Sequence, residues 1–208
     1  MILTPPEKTF SAHRQRKHAA MVEAILAAAR AIMREQGVAA LSMQELARRM
    51  DLRAPSLYHY FAGKMELYDA LFRAGFSLFS QRMQADTAGA SSWPGYVRAS
   101  FESYLRFALD NPDLFQLCFE RPVPGFIPSA ESMALSLEEL NRSYRKCLEF
   151  QEAMHSGLSP ERTVDLLISM MHGLTALHLS NQPELPAGAG RFGSLIPAAL
   201  DLLEKAWA

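Results

Sequence analysis

The sequence predicts an all-α protein, and three observations carry that expectation. Apolar residues recur at helical spacing in nearly every segment, Gly- and Pro-containing breakers separate those segments, and no alternating run of strand length competes with them. The chain has 208 residues, 49% hydrophobic and 21% charged, which is enough apolar material for one or two small domains.

The first helical pattern covers residues 18–36, with Val22, Ile25, Leu26, Ala29, Ile32 and Met33 on one stripe. Gly37 supplies the left-handed residue that ends it, and Val38 folds back on Met33. Ser42 with Glu45 three residues later forms a capping box, stapled by Leu41 and Leu46. The helix from Met43 to Met50 is about two turns long, so Met43, Leu46, Ala47 and Met50 must pack on neighbours for it to persist. Asp51 suits a left-handed turn, Leu52 points inward, and Arg53-Ala54-Pro55 opens a second short helix with Pro in its first turn. Leu57, Tyr60 and Phe61 then face inward, leaving Arg53, Ser56, Tyr58 and His59 outward. Further helical patterns cover about 64–84, 95–110, 112–119, 130–155, 160–180 and 192–206, divided by "DTAGASSWPG", "RPVPGFIPS", "SGLSP" and "NQPELPAGAG".

The two short helices have helix-turn-helix spacing. An exposed helix start carrying Arg, Ser, Tyr and His suits a major groove, where side chains meet phosphates and base edges. Gly63 allows close approach at the next helix start, so Lys64 and the amides beside it form a phosphate site. Charge distribution points the same way: residues 1–66 carry ten Lys and Arg against six Asp and Glu, the remainder eleven against sixteen.

Other classes lack their signatures. The N-terminus has no basic segment leading into an apolar one, and "LLISMMHGLTALHL" is interrupted by His172, Gly173 and His178 and falls short of a membrane span. A cytoplasmic protein with no membrane partner is expected. Cys118 and Cys147 lack metal or disulfide spacing and read as core thiols; His13, His18, His155 and His178 are scattered likewise. There is no Glu-x-x-His pair, nucleophile elbow or phosphate loop, so neither enzyme, cofactor nor metal is expected. The rival readings are a helical-bundle enzyme built on Glu102, Glu120, Cys118 or His172, and an adaptor that keeps the fold without DNA. Salt-dependent retardation of duplex DNA separates both from a DNA-binding regulator.

The stretch "LSMQELARRMDLRAPSLYHYFAGKMELYDALF", extended back through "AILAAARAIMREQGVAAL", resembles the DNA-binding segment of the tetracycline-repressor (TetR) family over residues 18–76. Asp51 stands where that family most often has Gly, and Tyr60 where His is common. The resemblance implies phosphate contacts from Ser42, Tyr58, His59 and Lys64, with Arg53, Ala54, Pro55, Ser56 and Tyr58 at the groove. More loosely, "ALDNPDLFQLCFERPVPGF" and "ISMMHGLTALHL" are similar to a C-terminal subtype with a Trp-His-Gly motif, here with Met171 in place of Trp. Residues 1–17 are expected to be a flexible arm, whose Arg14, Arg16 and Lys17 read equally as contacts to the minor groove or phosphates and as a solvated tail. The resemblance implies a helix-turn-helix domain over 18–66 and a helical ligand-binding and dimerisation bundle over 67–208. It further implies a homodimer built from the last two long helices, operator DNA with an inverted repeat, and repression relieved by a small molecule.

For any one apolar residue of the middle region, core packing is the ordinary role, and His172 and Gly173 read first as packing residues. As a group, Phe101, Tyr104, Phe107, Phe115, Cys118, Phe119, Phe126, Met133, Met171 and His172 are the candidates for a ligand pocket, with Leu117, Met154 and Met170 nearby in the pattern. Few basic residues interrupt these apolar stripes, so the ligand is expected to be mostly apolar, neutral or cationic, with polar groups met by Tyr104, His172 or Asn181.

Overall fold

The computed structural model describes residues 7–151 and 157–207, with side chains from Ala12 on; Met154, His155 and the first six residues of the expected arm lie outside them. Among the described residues there are ten α-helices and no strand. Helix α1 (Glu7–Gln36) begins well before residue 18. The expected flexible arm is therefore helical from Glu7: no Gly or Pro interrupts residues 7–36, although the apolar stripe itself starts later. Gly37, at φ +91°, turns the chain into a short 3₁₀ turn, Val38–Ala40.

Helices α2 (Met43–Arg49) and α3 (Ala54–Leu57) follow. The Ser42 Oγ accepts from the Glu45 amide at 3.2 Å. The other half of the expected capping box is not made, because the Glu45 carboxylate takes Arg48 and Arg49 instead. Asp51 occupies the left-handed turn at φ +53°. Ile25, Ala29, Ile32, Leu46 and Leu57 are wholly buried together, and so are Leu67 and Leu71 of α4 (Lys64–Thr87). Tyr68, also on α4, donates its hydroxyl to the Val38 carbonyl at 2.6 Å, fixing the start of α4 to the end of α1.

The body comprises the rest of α4 with α5 (Trp93–Asp110), α6 (Pro112–Phe115), α7 (Ala130–Glu149), α8 (Pro160–Asn181), α9 (Gly190–Gly193) and α10 (Ile196–Trp207). The pattern read as one helix over 112–119 is α6 running into a π-helical turn, Gln116–Glu120, closed by Arg121 at φ +50°. Here the chain crosses α4 so closely that a Cβ on Gly75 would lie 2.6 Å from the Cys118 Sγ. The pattern over 192–206 also divides in two, since α9 must pass the His178 ring at Gly193, and Pro197 suits the first turn of a new helix. Asp69 of α4 caps α7, accepting from the Ser129 amide at 2.7 Å and the Ser132 hydroxyl at 2.8 Å.

Head and body are joined by a buried ion pair. Asp113 of α6 is 2% exposed and accepts from Arg30 Nε at 2.7 Å and Arg34 Nε at 2.9 Å, while Arg30 also reaches the Asn111 side chain at 2.8 Å. Burial alone would raise the Asp113 carboxyl, but the hydrogen bonds and charges of Arg30 and Arg34 outweigh it and hold it below the usual carboxylate range. A carboxyl lowered on folding stabilises above its unfolded pKa and loses that contribution as pH falls through its folded value. Asp113→Asn should therefore cost about 2 kcal/mol near neutral pH, where charge-assisted bonds contribute in full. In urea titrations the gap between variant and parent should shrink on acidification below the ordinary carboxylate range.

Candidate nucleic-acid interface and interior cavity

The turn after α2 and the four-residue α3 present one outward surface. Leu57 and Phe61, 0% and 5% exposed, anchor it from below. Arg53, Pro55, Ser56, Tyr58 and His59 are exposed above them, Ala54 is half-buried, and Ser42 is half-buried with its hydroxyl engaged as the α2 cap. Tyr60 is held between the rings of His18, at 5.0 Å, and His59, at 5.6 Å, which gives an aromatic residue a place there. Lys64 opens α4 with its Nζ 5.7 Å from the Tyr68 ring centre. The first amide bonded within that helix is Leu67's, to the Gly63 carbonyl, so the Lys64 and Met65 amides precede the ladder. Gly63 has extended backbone and open space beside it, so no contact within the chain demands a glycine. The neighbouring Ala62 amide is already taken by the Glu66 carboxylate.

Cations on this side fall into two groups. Arg48 and Arg49 are bound to Glu45, and Arg49 also to Glu35; hydrogen bonds from Arg48 and Arg49 draw the Glu45 carboxyl down to about 2. Arg53 and Lys64 have no carboxylate partner among the described residues, leaving their charges available to an anion. Gln44, exposed in the first turn of α2, adds a polar group that the sequence reading passed over; its place directly after the Ser42 cap was the available signal.

A cavity of about 500 Å³ lies within the body. Of the ten pocket candidates, Phe101, Tyr104, Phe119, Met171 and His172 line it. The other five do not. Phe107 packs behind the wall against Phe79, with centroids 5.2 Å apart, and Phe115 stacks on His172 at 5.7 Å. Cys118 turns to α4 and donates to the Phe72 carbonyl, Phe126 sits on Tyr68 and Phe72, and Met133 packs at the start of α7. Asn181 is also outside the lining, at the end of α8, donating to the Leu177 carbonyl at 2.7 Å. The wall is completed by residues the sequence reading missed: Phe76, Phe79 and Met83 of α4, with Val97 of α5, Leu140 of α7 and Leu167 of α8 among those on the facing helices. The 76, 79, 83 spacing lies within the helical pattern expected over about 64–84 and was the available signal.

Tyr104 and His172 meet at 3.0 Å between Oη and Nδ1. Burial pushes the Tyr104 phenol up, so the hydroxyl keeps its hydrogen, and it shares a hydrogen bond with the imidazole. Among the described residues no helix is long and apolar enough to cross a membrane, and no three His, Cys, Asp or Glu side chains come together in a way that could hold a metal ion.

Two family models match the chain. One, for bacterial regulatory proteins of the tetR family, covers residues 25–71; the other, for a tetracyclin repressor-like C-terminal domain, covers residues 97–196. The Transposon Tn10 TetC protein of Escherichia coli is 23% identical over 189 residues, spanning 86% of this chain and 90% of its own. A protein of unknown function from Rhodococcus sp. RHA1 shares the fold at a TM-score of 0.76 and 20% identity, covering 90% of this chain and 95% of the other. So does AibR in complex with isovaleryl coenzyme A and operator DNA, at 0.67 and 16%, over 87% and 96% of the two chains.

The thiols afford a direct check on the packing around the cavity. Burial raises both, Cys147 to about 11 and Cys118 further, so little thiolate exists at pH 8. The native protein should react slowly with a thiol-specific disulfide reagent, and the urea-unfolded chain should release both equivalents promptly.

Proposed function

The chain belongs to the tetR family of bacterial regulatory proteins and is a DNA-binding transcriptional regulator; we propose that it is a homodimeric repressor released from an inverted-repeat operator by a small apolar effector. In this reading residues 18–66 engage DNA, and residues 67–208 hold the effector and the second subunit. The observation that carries it is the exposed start of α3: Arg53, Ser56, Tyr58 and His59 stand together on a buried apolar base, beside the unpaired Lys64. Arg53 and Ser56 are placed for base edges, and Lys64 with its neighbouring amides for a phosphate.

The effector reading rests on the 500 Å³ cavity, the size of a small-molecule site. AibR, a protein of the same fold, is known with isovaleryl coenzyme A and operator DNA bound together. Helix α4 connects the two ends, from Lys64 at its start to Phe76, Phe79 and Met83 in the cavity wall. A ligand that favours a body conformation with misplaced heads weakens operator binding, and operator then weakens the ligand by the same factor.

Dimerisation is supported by two apolar stripes left largely exposed among the described residues. Leu166, Met170, Gly173 and Leu177 lie along α8, where Leu166 and Leu177 are 42% and 45% exposed and nothing comes within 4 Å of a Cβ on Gly173. Leu195, just before α10, and Ala198 and Leu202 on that helix continue the patch, with Leu202 at 67%.

Selection from random duplexes should enrich an inverted repeat with half-sites about one helical turn apart; recovery of asymmetric single sites alone would refute the dimeric reading. Lys64→Ala should weaken binding to all sequences alike and flatten the salt dependence by about one unit, whereas Ser56→Ala should change base preference. Leu202→Glu combined with Leu177→Glu should yield a folded monomer by sedimentation velocity, with operator affinity lost.

A further inference from the structure

The polar chemistry of the cavity is one-sided. Glu139 is the one charged side chain among the residues lining it, and it is 6% exposed. Its two partners use the same oxygen: the Ser80 hydroxyl donates to Oε2 at 2.7 Å and Arg142 Nη1 donates to Oε2 at 2.5 Å. Oε1 accepts from nothing among the described residues.

The serines of the wall extend the pattern. Ser100 donates to the Tyr96 carbonyl at 2.8 Å, Ser136 to Met133 at 2.9 Å, Ser143 to Glu139 at 3.3 Å and Ser169 to Asp165 at 2.8 Å. Each of these hydroxyls is engaged by a carbonyl of its own helix, and Ser100 and Ser143 also bond the Tyr96 hydroxyl, so none brings a positive charge to the wall. No Lys or Arg lines the cavity; its N–H donors are the unpaired indole of Trp93 and the imidazole of His172. A carboxylate entering here would meet the charge of Glu139 with no Lys or Arg in the lining to answer it, and a plain hydrocarbon would leave Oε1 unpaired.

From this array we propose that the effector is an amine on an apolar body, its N–H directed at Glu139 Oε1. The inference rests on the reading of the cavity as the effector site and narrows the ligand's class. Glu139 lines both the cavity and a second space of about 220 Å³, and Arg142, with Gln84 and Lys146, lines only the second. Arg142, its side chain 24% exposed, takes Oε2 from that side and leaves Oε1 without a donor among the described residues. Burial raises the Glu139 carboxyl, opposed by Ser80 and Arg142, and an ammonium at Oε1 would offset the remaining desolvation.

The test is calorimetric titration of the full-length protein with decylamine, decanol and decanoate, three probes with the same chain and different heads. Decylamine should bind at least about tenfold tighter than decanol, the difference made by a charge-assisted bond, and decanoate weakest. Glu139→Gln, which keeps the shape and the acceptor for Ser80, should erase that preference. Arg142→Gln, which leaves the carboxylate without its counter-charge, should tighten decylamine alone, whereas a general loosening would weaken all three. Decanoate binding as tightly as decylamine, or an amine preference that survives Glu139→Gln, would overturn the proposal. Val97→Trp, which fills the cavity, separates the two levels of failure. Binding of decanol that it abolishes, without any amine preference, retains the cavity and overturns the amine; probes that do not bind, or bind undiminished in Val97→Trp, overturn both.

Discussion

Asp113 is withdrawn from water at the start of α6, and its charge is sustained there because Arg30 and Arg34 reach it from α1. Those two arginines are one turn apart on a helix whose apolar stripe, Ile25, Ala29 and Ile32, is already committed to the head. Helix α1 thus faces two ways at once, and its position relative to α6 is set within hydrogen-bond distance. The placement of the outward surface of α3 follows, since α2 packs on α1 and α3 on α2, and both are too short to stand alone.

The π-helical turn connects that fixed point to the interior. It continues directly from α6, so Asp113 and the cavity residue Phe119 belong to one short, uninterrupted segment. Midway along it Cys118 rests against α4 at Gly75, with no room for a side chain between them. The segment therefore touches α1, α4 and the cavity together. A ligand that moves Phe119 acts on both helices leading to the head, and π turns are a common place for such non-uniform backbone. In a closely packed interior a shift of this kind is passed on rather than absorbed.

What the sequence disclosed and what it hid divide by distance along the chain. The Ser42 cap, the left-handed Asp51, Pro55 in the first turn of α3 and the burial of Leu57 and Phe61 are local matters of propensity and spacing, and all could be read from residues 41–61. Asp113 could not, because its partners are 79 and 83 residues away. Glu139 was concealed by company: among Glu138, Arg142, Arg145 and Lys146 it reads as one more solvated charge, and only the packing of α7 on α4 turns it inward. The aromatic candidates were found as a group, but which lie on the cavity wall and which behind it depends on small rotations of helices. Phe115 and Phe119, four residues apart, fall on either side of that line.

Lys64 rests over the ring of Tyr68, and that ring is itself immobilised by the hydroxyl bond to Val38. A lysine side chain carries about 2 kcal/mol of rotamer entropy, which a partner must overcome when it pins the ammonium. Here part of that freedom is surrendered during folding rather than at contact. The ammonium itself lies over the aromatic face, 5.7 Å from its centre, with no carboxylate beside it among the described residues. The consequence is kinetic as well as energetic: the ammonium meets an approaching polyanion already aimed, so fewer encounters are wasted on a misdirected side chain.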